Sequence, residues 1–439
     1  MLNTRYKRLN YEGKYTMREY IERISDKVLA EHLESKGAVL IEGPKWCGKT
    51  TSGKHLAKSF IEMDRPDMTE QYQQMARLKP TALLEGEVPR LIDEWQIAPG
   101  IWNAVRYEVD QRGEFGQFIL TGSSVPPVLD ESMHTGTGRI VRMKMRPMSL
   151  YESKDSTGTV SLEDMFLGKD IYASDNRNID DIAYFICRGG WPLAINVSKN
   201  IALKQAFDYY DSIVNDDISR VDGVRRDSER TKRLMKSYAR NVATQASLET
   251  IREDCIVNDT DTFDKETLYS YINALKKTFV IEDSPAWNPN LRSKTAIRTA
   301  DTRYFVDPSI VTAALGLGPE DLIHDLNMMG LIFENLCVRD LRIYADALDG
   351  DVYHYRDKTG LECDAVVHLR NGRYGLVEVK LGGDKLINEG AETLLKLVNK
   401  IDLDKMKEPA FTMVLCGVAP FAYRREDGVY VVPISCLKN

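Results

Sequence analysis

Residues 38–42 (AVLIE) form an apolar run between Gly37 and Gly43, the length and setting of a buried β-strand. Beyond Gly43 the spacing alternates between helical and strand periods. A helix is predicted from Gly48 to about Ser59, then a strand over SFIEMD ending at Asp64, with a break at Arg65-Pro66. Helical spacing resumes from Asp67 to Leu78, and Pro89 to Glu94 reads as a third strand ending on two acids. A helix over Pro99–Gln111 places Ile101, Trp102, Val105 and Val109 on one face, and the strand Gln117–Leu120 runs into Thr121-Gly122-Ser123-Ser124. Strands alternating with helices predict βαβ units, hence an α/β fold with a parallel sheet.

The pattern changes beyond Tyr151. Residues 151–180 are polar and read as irregular, and 180–280 are mainly helical in spacing. The last third turns to strands at Val352–Tyr355, Cys363–Leu369, Tyr374–Val379, Thr412–Leu415 and Val429–Pro433. At 439 residues the chain is too long for one ordinary core, so two or three domains are expected. Apolar residues at 43% and charged residues at 28% exclude wholesale disorder. No apolar stretch is long enough to span a bilayer, and the polar N-terminus lacks the apolar middle of a secretory signal. Seven scattered cysteines without a CxxC pair suggest neither zinc nor a redox motif, and reduced thiols in the cytoplasm are the expectation. The net charge of −7 argues against a histone-like grip on nucleic acid but leaves room for one basic patch.

The clearest chemistry lies at the end of the first strand. Gly43-Pro44-Lys45-Trp46-Cys47-Gly48-Lys49-Thr50 fits GxxxxGK[ST] at every fixed position, and with Thr51 these are the candidate ATP-binding residues. Glycines let backbone N–H groups turn inward around phosphate oxygens, and the following helix aims its positive end at them. Lys49 is expected to reach the β- and γ-phosphates, and the Thr50 hydroxyl to ligate Mg²⁺. Asp93, at the end of a buried strand, is placed to hold Mg²⁺ through its water shell, and Glu94 to orient or deprotonate the attacking water. Ser123 could hydrogen-bond the γ-phosphate or that water, or be a turn serine. Arg139, after a Gly-rich loop, could reach a γ-phosphate in cis or in trans, or sit on a solvated basic strand.

Between Arg220 and Arg240 eight basic residues face three acids. The segments Ser247–Asp254 and Lys265–Lys276 read as short helices, and Val280–Val306 as a two-stranded wing. That order suits a winged helix with Thr267–Lys276 in the recognition position and DNA as a possible partner; a solvated helix face or a protein-packing module reads equally from the residues.

Taken together, GPKWCGKT, FIEMDRPD, RLIDEWQ, FILTGSS, GRIVRMKMRPMSLYE and RGGWP resemble the AAA-type ATP-binding proteins of bacteria and archaea that carry a C-terminal domain of unknown function. GLIFENLCVRDL, YHYRDKTGLECDAVV and GLVEVK extend the resemblance to that companion domain. It implies an ASCE-type ATPase core (1–205), a winged-helix middle (206–318) and a restriction-endonuclease-like end (319–439). The last part resembles the PD-(D/E)xK core, an acid, a hairpin and then E-x-K, which implies Mg²⁺ on Asp364 and Glu378, Glu334 ligating through water, and Lys380 positioning water or stabilising phosphorane charge. Glu362 is a possible substitute ligand. The expected function is Mg²⁺-dependent ATP hydrolysis coupled to a DNA-related act of the C-terminal domain. The alternative is a nucleotide-switched binding module with a vestigial nuclease-like site.

Overall fold

The computed structural model describes residues 6–9, 15–122, 136–256, 263–288, 300–404 and 406–439. The chain divides into two compact units, 1–145 and 146–439.

The first unit opens with an antiparallel pair, β1 (Tyr6–Leu9) and β2 (Tyr15–Arg18), and the helix Ile24–Ser35. Five more strands are β3 (Ala38–Glu42), β4 (Ser59–Glu62), β5 (Arg90–Asp93), β6 (Phe118–Gly122) and β7 (Ile140–Lys144). They form one parallel sheet in the order β4-β5-β6-β3-β7. Helices Lys49–Leu56, Thr69–Leu78 and Gly100–Arg112 make the connections. A parallel sheet is covered on both faces, so its strands read as continuous apolar runs. Alternate residues divide between two cores. Val39, Ile41, Leu91 and Ile119 pack with Leu29 and Leu33, whereas Leu40, Ile92, Phe118 and Leu120 pack with Trp95, Trp102 and Val105. The register aligns Asp93 with Thr121 and Glu42 with Gly122, bringing three strand ends to one edge.

The second unit holds a seven-stranded mixed sheet. Its strands are β9 (Ala173–Ser174), β10 (Gly350–Arg356), β11 (Glu362–Leu369), β12 (Tyr374–Gly382), β13 (Phe411–Val418), β14 (Phe421–Arg424) and β15 (Tyr430–Pro433), in the order β10-β11-β12-β13-β15-β14-β9. β10, β11 and β12 are antiparallel neighbours, and β12, β13 and β15 run parallel. β12 reaches β13 through the helix Asp384–Val398, which packs Ile387, Ala391 and Leu394 on Cys363, Val366, Leu376 and Val414. The 21-residue helix Leu326–Asp346 packs on β10, β11 and β12. Ahead of the sheet lie helices Ile179–Arg188, Lys199–Ser212, Ser228–Arg240, Leu248–Cys255 and Lys265–Lys277.

Two expectations are corrected. The ATPase part does not run to residue 205: residues 151–180 are not irregular filler but send β8 (Val160–Ser161) to pair with β16 (Leu437–Lys438) and β9 to pair with β14. Arg146, in the basic run, is buried and bonds Glu282 at 2.7 Å and Asp346 at 2.5 Å, so it belongs to the second unit's interior. The wing is also reduced. Among the described residues of 280–306, pairing within the segment amounts to the antiparallel bridges Ile281↔Phe305 and Ser284↔Thr302, while Ala286 makes a parallel bridge to His354 on β10.

Candidate functional site

The loop after β3 is shaped by two glycines. A Cβ on Gly43 would stand 2.0 Å from the Met145 carbonyl oxygen, so no side chain fits there. Gly48 starts the helix Lys49–Leu56 at φ +105°, a conformation that glycine adopts without strain. Trp46 is also left-handed, at φ +65°, and 39% exposed; Cys47 is buried. Lys49 is only 6% exposed and donates to the Gly43 oxygen at 2.9 Å and the Pro44 oxygen at 2.7 Å, which holds its ammonium inside the loop.

Across the sheet edge, Asp93 Oδ1 accepts from Thr50 Oγ1 at 2.8 Å and from Thr121 Oγ1. Once the Thr50 hydroxyl donates its proton to Asp93, its oxygen lone pairs are left for a cation. Burial pushes the Asp93 carboxyl up, and the two threonine hydroxyls oppose that shift. Glu94 comes next, in the left-handed region at φ +52°, a strained position for a non-glycine residue and one that clusters at functional sites. Its carboxyl, bonded by Gln96, is likewise pushed up by burial and pulled back by Lys49. These residues fit Mg²⁺ held from Thr50 and through water from Asp93. Among the described residues no group of three or more His, Cys, Asp or Glu side chains is arranged to take a metal ion directly.

Sequence reasoning missed several residues here. Thr121, which was not nominated, donates to Asp93; Ser123, nominated to bond the γ-phosphate or the attacking water, lies outside the described residues. The usable signal was a hydroxyl two positions before Ser123, near the carboxyl end of the fully buried β6. Arg23, 6% exposed, donates to the loop carbonyl of Cys47 at 2.8 Å. Tyr20 bonds Asp26 at 2.7 Å and Ser52 at 2.8 Å and stacks on His55. Nothing in the local pattern marks these two. For Arg139 only the reach in cis is corrected. It precedes Ile140, which pairs with Ala38 at the amino ends of the strands, and it bonds Asp110 at 2.8 Å. The phosphate loop begins at the opposite end of β3, one strand of five residues away, so Arg139 cannot serve its own loop in cis.

In the second unit the nominated acids and lysine come together in part. Lys380 Nζ lies 2.7 Å from Glu378 and 3.6 Å from Asp364, and Asp364 also accepts from the Val379 N–H at 2.8 Å. The Glu378 carboxyl is pushed up to about 8, by burial first and then by Asp364, against the pull of Lys380. Glu334 accepts from the Tyr304 hydroxyl, and its carboxyl is driven well above its ordinary range by burial and by Asp364. Glu334, Asp364 and Glu362 line one cavity of about 210 Å³, and Glu362 pairs with Arg356 at 3.0 Å. Asp364 and Glu378 therefore converge as expected, with Lys380 between them.

The basic segment is partly committed as well. Arg226 is buried, with bonds to Ile218, Asp222 and Ser270, while Arg220 pairs with Asp216 and Lys232 with Glu229. Arg225, Lys236 and Arg240 are exposed. Three of the quoted motifs contribute to one structural cluster. Arg339 joins Asp307 at 2.8 Å and Asp340 at 2.7 Å with all three within 1% exposure; Asp307 also takes the Gly190 N–H, and Asp340 the Leu150 N–H.

A family model described as an AAA domain matches residues 35–154. Two more, each described as a domain of unknown function (DUF8612 and DUF4143), match residues 179–321 and 329–437. No curated relative matches. Among solved structures, the Walker-type ATPase of Pyrococcus abyssi is 15% identical, covering 72% of this chain and 100% of its own, with a TM-score of 0.42. RuvB of Thermotoga maritima is 16% identical, covering 59% and 88%, at 0.27. Among the described residues no helix is long and apolar enough to cross a membrane.

Proposed function

We propose that this AAA-type ATP-binding protein hydrolyses ATP with Mg²⁺ in the cytoplasm and couples its nucleotide state to an act on DNA by the C-terminal α/β half. The observation that carries the first part is the pair of threonine hydroxyls on one oxygen of Asp93, beside a glycine loop holding a lysine. Thr50 and Asp93 would hold the Mg²⁺, which neutralises phosphate charge when bound. Lys49 exchanges two neutral carbonyls for phosphate oxygens. Glu94, beside Asp93 and within the field of Lys49, orients the attacking water and takes its proton.

For the second half, support comes from the order helix, antiparallel β10-β11-β12, helix and parallel β13, with Asp364 and Glu378 meeting at Lys380. That is the order expected of a nuclease-like core. The helices Leu248–Cys255 and Lys265–Lys277 support a winged-helix reading, with Lys265, Tyr269, Asn273 and Lys276 exposed on the second. A nucleotide-switched module with a vestigial C-terminal site is the second reading. The bridging of both acids by Lys380 favours it.

The test measures ATP turnover and plasmid integrity together. Glu94→Gln should bind ATP normally and hydrolyse it about 10²–10⁴-fold more slowly; turnover at the wild-type rate would assign the base elsewhere. Stimulation by duplex DNA supports the coupling. Absence of both stimulation and Mg²⁺-dependent plasmid cleavage selects the second reading.

A further inference from the structure

The glutamate proposed to take the water's proton has a polar neighbour on its own turn. Gln96, two positions after Glu94 in the RLIDEWQ run, donates from its amide Nε2 to Glu94 Oε2. The nitrogen is the end that faces Glu94, because a glutamate acting as a base is ionised and an ionised carboxylate only accepts hydrogen bonds. The amide oxygen is therefore turned the other way, where it is buried and has no hydrogen-bond partner among the described residues. Buried polar side-chain atoms are paired in the large majority of cases. A glutamine kept for packing would use both ends. This one leaves its oxygen unmatched and keeps its nitrogen on Glu94.

The contact is not one that helical spacing supplies, because residues two apart on a helix do not face each other. Glu94 and Gln96 meet because Glu94 precedes the short helix Trp95–Ile97 in the left-handed region, at φ +52°, so its side chain does not follow that spacing. The turn itself is fixed. Trp95 is 2% exposed and packs on Trp102 with ring centroids 5.2 Å apart, and the Ile97 N–H closes on the Glu94 carbonyl at 3.1 Å. On its other side the Gln96 amide rests against Gly122, the last residue of β6. A Cβ on Gly122 would lie 2.8 Å from the Gln96 amide oxygen and 3.2 Å from Trp95 Nε1, so the glycine provides room. The end of β6 thus serves both acids of the site. Thr121 donates to Asp93, and Gly122 admits the amide that donates to Glu94.

We propose that Gln96 is a positioning residue for ATP hydrolysis: its amide fixes one carboxylate oxygen of Glu94, so that the base meets the attacking water in a single orientation. The proposal rests on the reading of Glu94 as the base and adds the group that aims it. A glutamate carboxylate otherwise rotates through orientations of which few are productive, and orientation governs a large part of a rate. In this role Gln96 acts through Glu94 alone, so its contribution belongs to turnover and not to nucleotide binding.

Gln96→Met keeps the length of the side chain and removes the donor. In the full chain at saturating Mg²⁺, kcat should fall about 10–100-fold while KM for ATP stays within about twofold. The variant should melt no lower than the wild type, because it loses a buried oxygen that had no partner. Placed in Glu94→Gln, the same substitution should change the residual rate by less than about twofold, since the amide then has no base to aim. Unchanged kcat in Gln96→Met, with Glu94→Gln inactive, would overturn the role of Gln96 and leave Glu94 as the base. Wild-type turnover in Glu94→Gln would overturn both. Faster turnover in Gln96→Met would make the amide a restraint on Glu94, and a full further loss in the double variant would make Gln96 act on its own; either result overturns the proposal. So would a variant that fails to fold or melts well below the wild type, which would assign Gln96 to the packing of the turn.

Discussion

The two sites handle charge in opposite ways. At the phosphate loop, Lys49 is held by backbone carbonyls and Asp93 by threonine hydroxyls, so cation and anion are each satisfied by neutral partners. At the C-terminal site, Lys380 sits directly on Glu378 and close to Asp364. Deeper in that unit Arg339 does the same with Asp307 and Asp340. Neutral partners leave most of a charge's field available to an incoming ligand, whereas an opposite charge cancels it. The first arrangement leaves its charges open to an incoming ligand. In the second, a ligand must compete with a lysine that already sits on the acids.

Removing the lysine of each site in turn is the strongest way to break the comparison. Lys49→Ala removes a charge-assisted contact worth about 1.5–3 kcal/mol, so ATP should bind about 10–100-fold more weakly. Stability should change little, since two carbonyls are easily satisfied by water. Titration calorimetry and a urea melt on one preparation read both. A large loss of stability would show that Lys49 is structural in the way Lys380 is.

The Arg339 cluster predicts a pH dependence. Two acids share one arginine in a fully buried site, and burial pushes the Asp340 carboxyl up to about 6. A carboxyl whose folded pKa is raised contributes stability when protonated and loses it as pH rises. The second unit should therefore weaken between about pH 4 and 6, on the order of 3 kcal/mol. Asp340→Asn keeps an acceptor for the Leu150 N–H and should flatten that slope in denaturant midpoints taken across the range. A slope unchanged by the substitution would place the proton elsewhere.

Lys380→Met is the smaller counterpart, because the lysine side chain is 24% exposed. Leaving Asp364 and Glu378 without their cation should cost the second unit about 1–2 kcal/mol, less than for a fully enclosed pair. An unchanged urea midpoint would mean that solvent, not the lysine, compensates those acids.

Legibility in the sequence followed the same division. The phosphate loop, the strand ending at Asp93 and the alternation around them were readable because one local pattern fixes each: a glycine spacing, an apolar run, a helical face. The C-terminal strands were readable for the same reason, although β14 was missed, being four residues long with one buried, Ala422. Residues 151–180 were not readable, because β8 and β9 pair with strands more than 240 positions away. The reach of Arg139 in cis was not readable, because a Gly-rich loop does not say at which end of a parallel sheet it lies.

The finest test concerns Thr121, which distinguishes a neutral hold on Asp93 from a merely adjacent side chain. Thr121 is fully buried, so Thr121→Val preserves its shape and removes one hydroxyl. Asp93 then keeps Thr50 as a donor and loses the other, at a cost of about 1 kcal/mol. ATP hydrolysis at saturating Mg²⁺ should fall by about fivefold, while ATP affinity in the absence of metal stays unchanged because the loop is untouched. Both hydroxyls counter the upward push of burial on the Asp93 carboxyl, so the variant should protonate Asp93 more readily. The acidic limb of its pH–rate profile should therefore move to higher pH, and a Thr50→Ser control should leave that limb in place. If Thr121→Val matched the wild type in rate and in its acidic limb, Asp93 would not depend on neutral donors, and the contrast with Lys380 would fail at its nearest point.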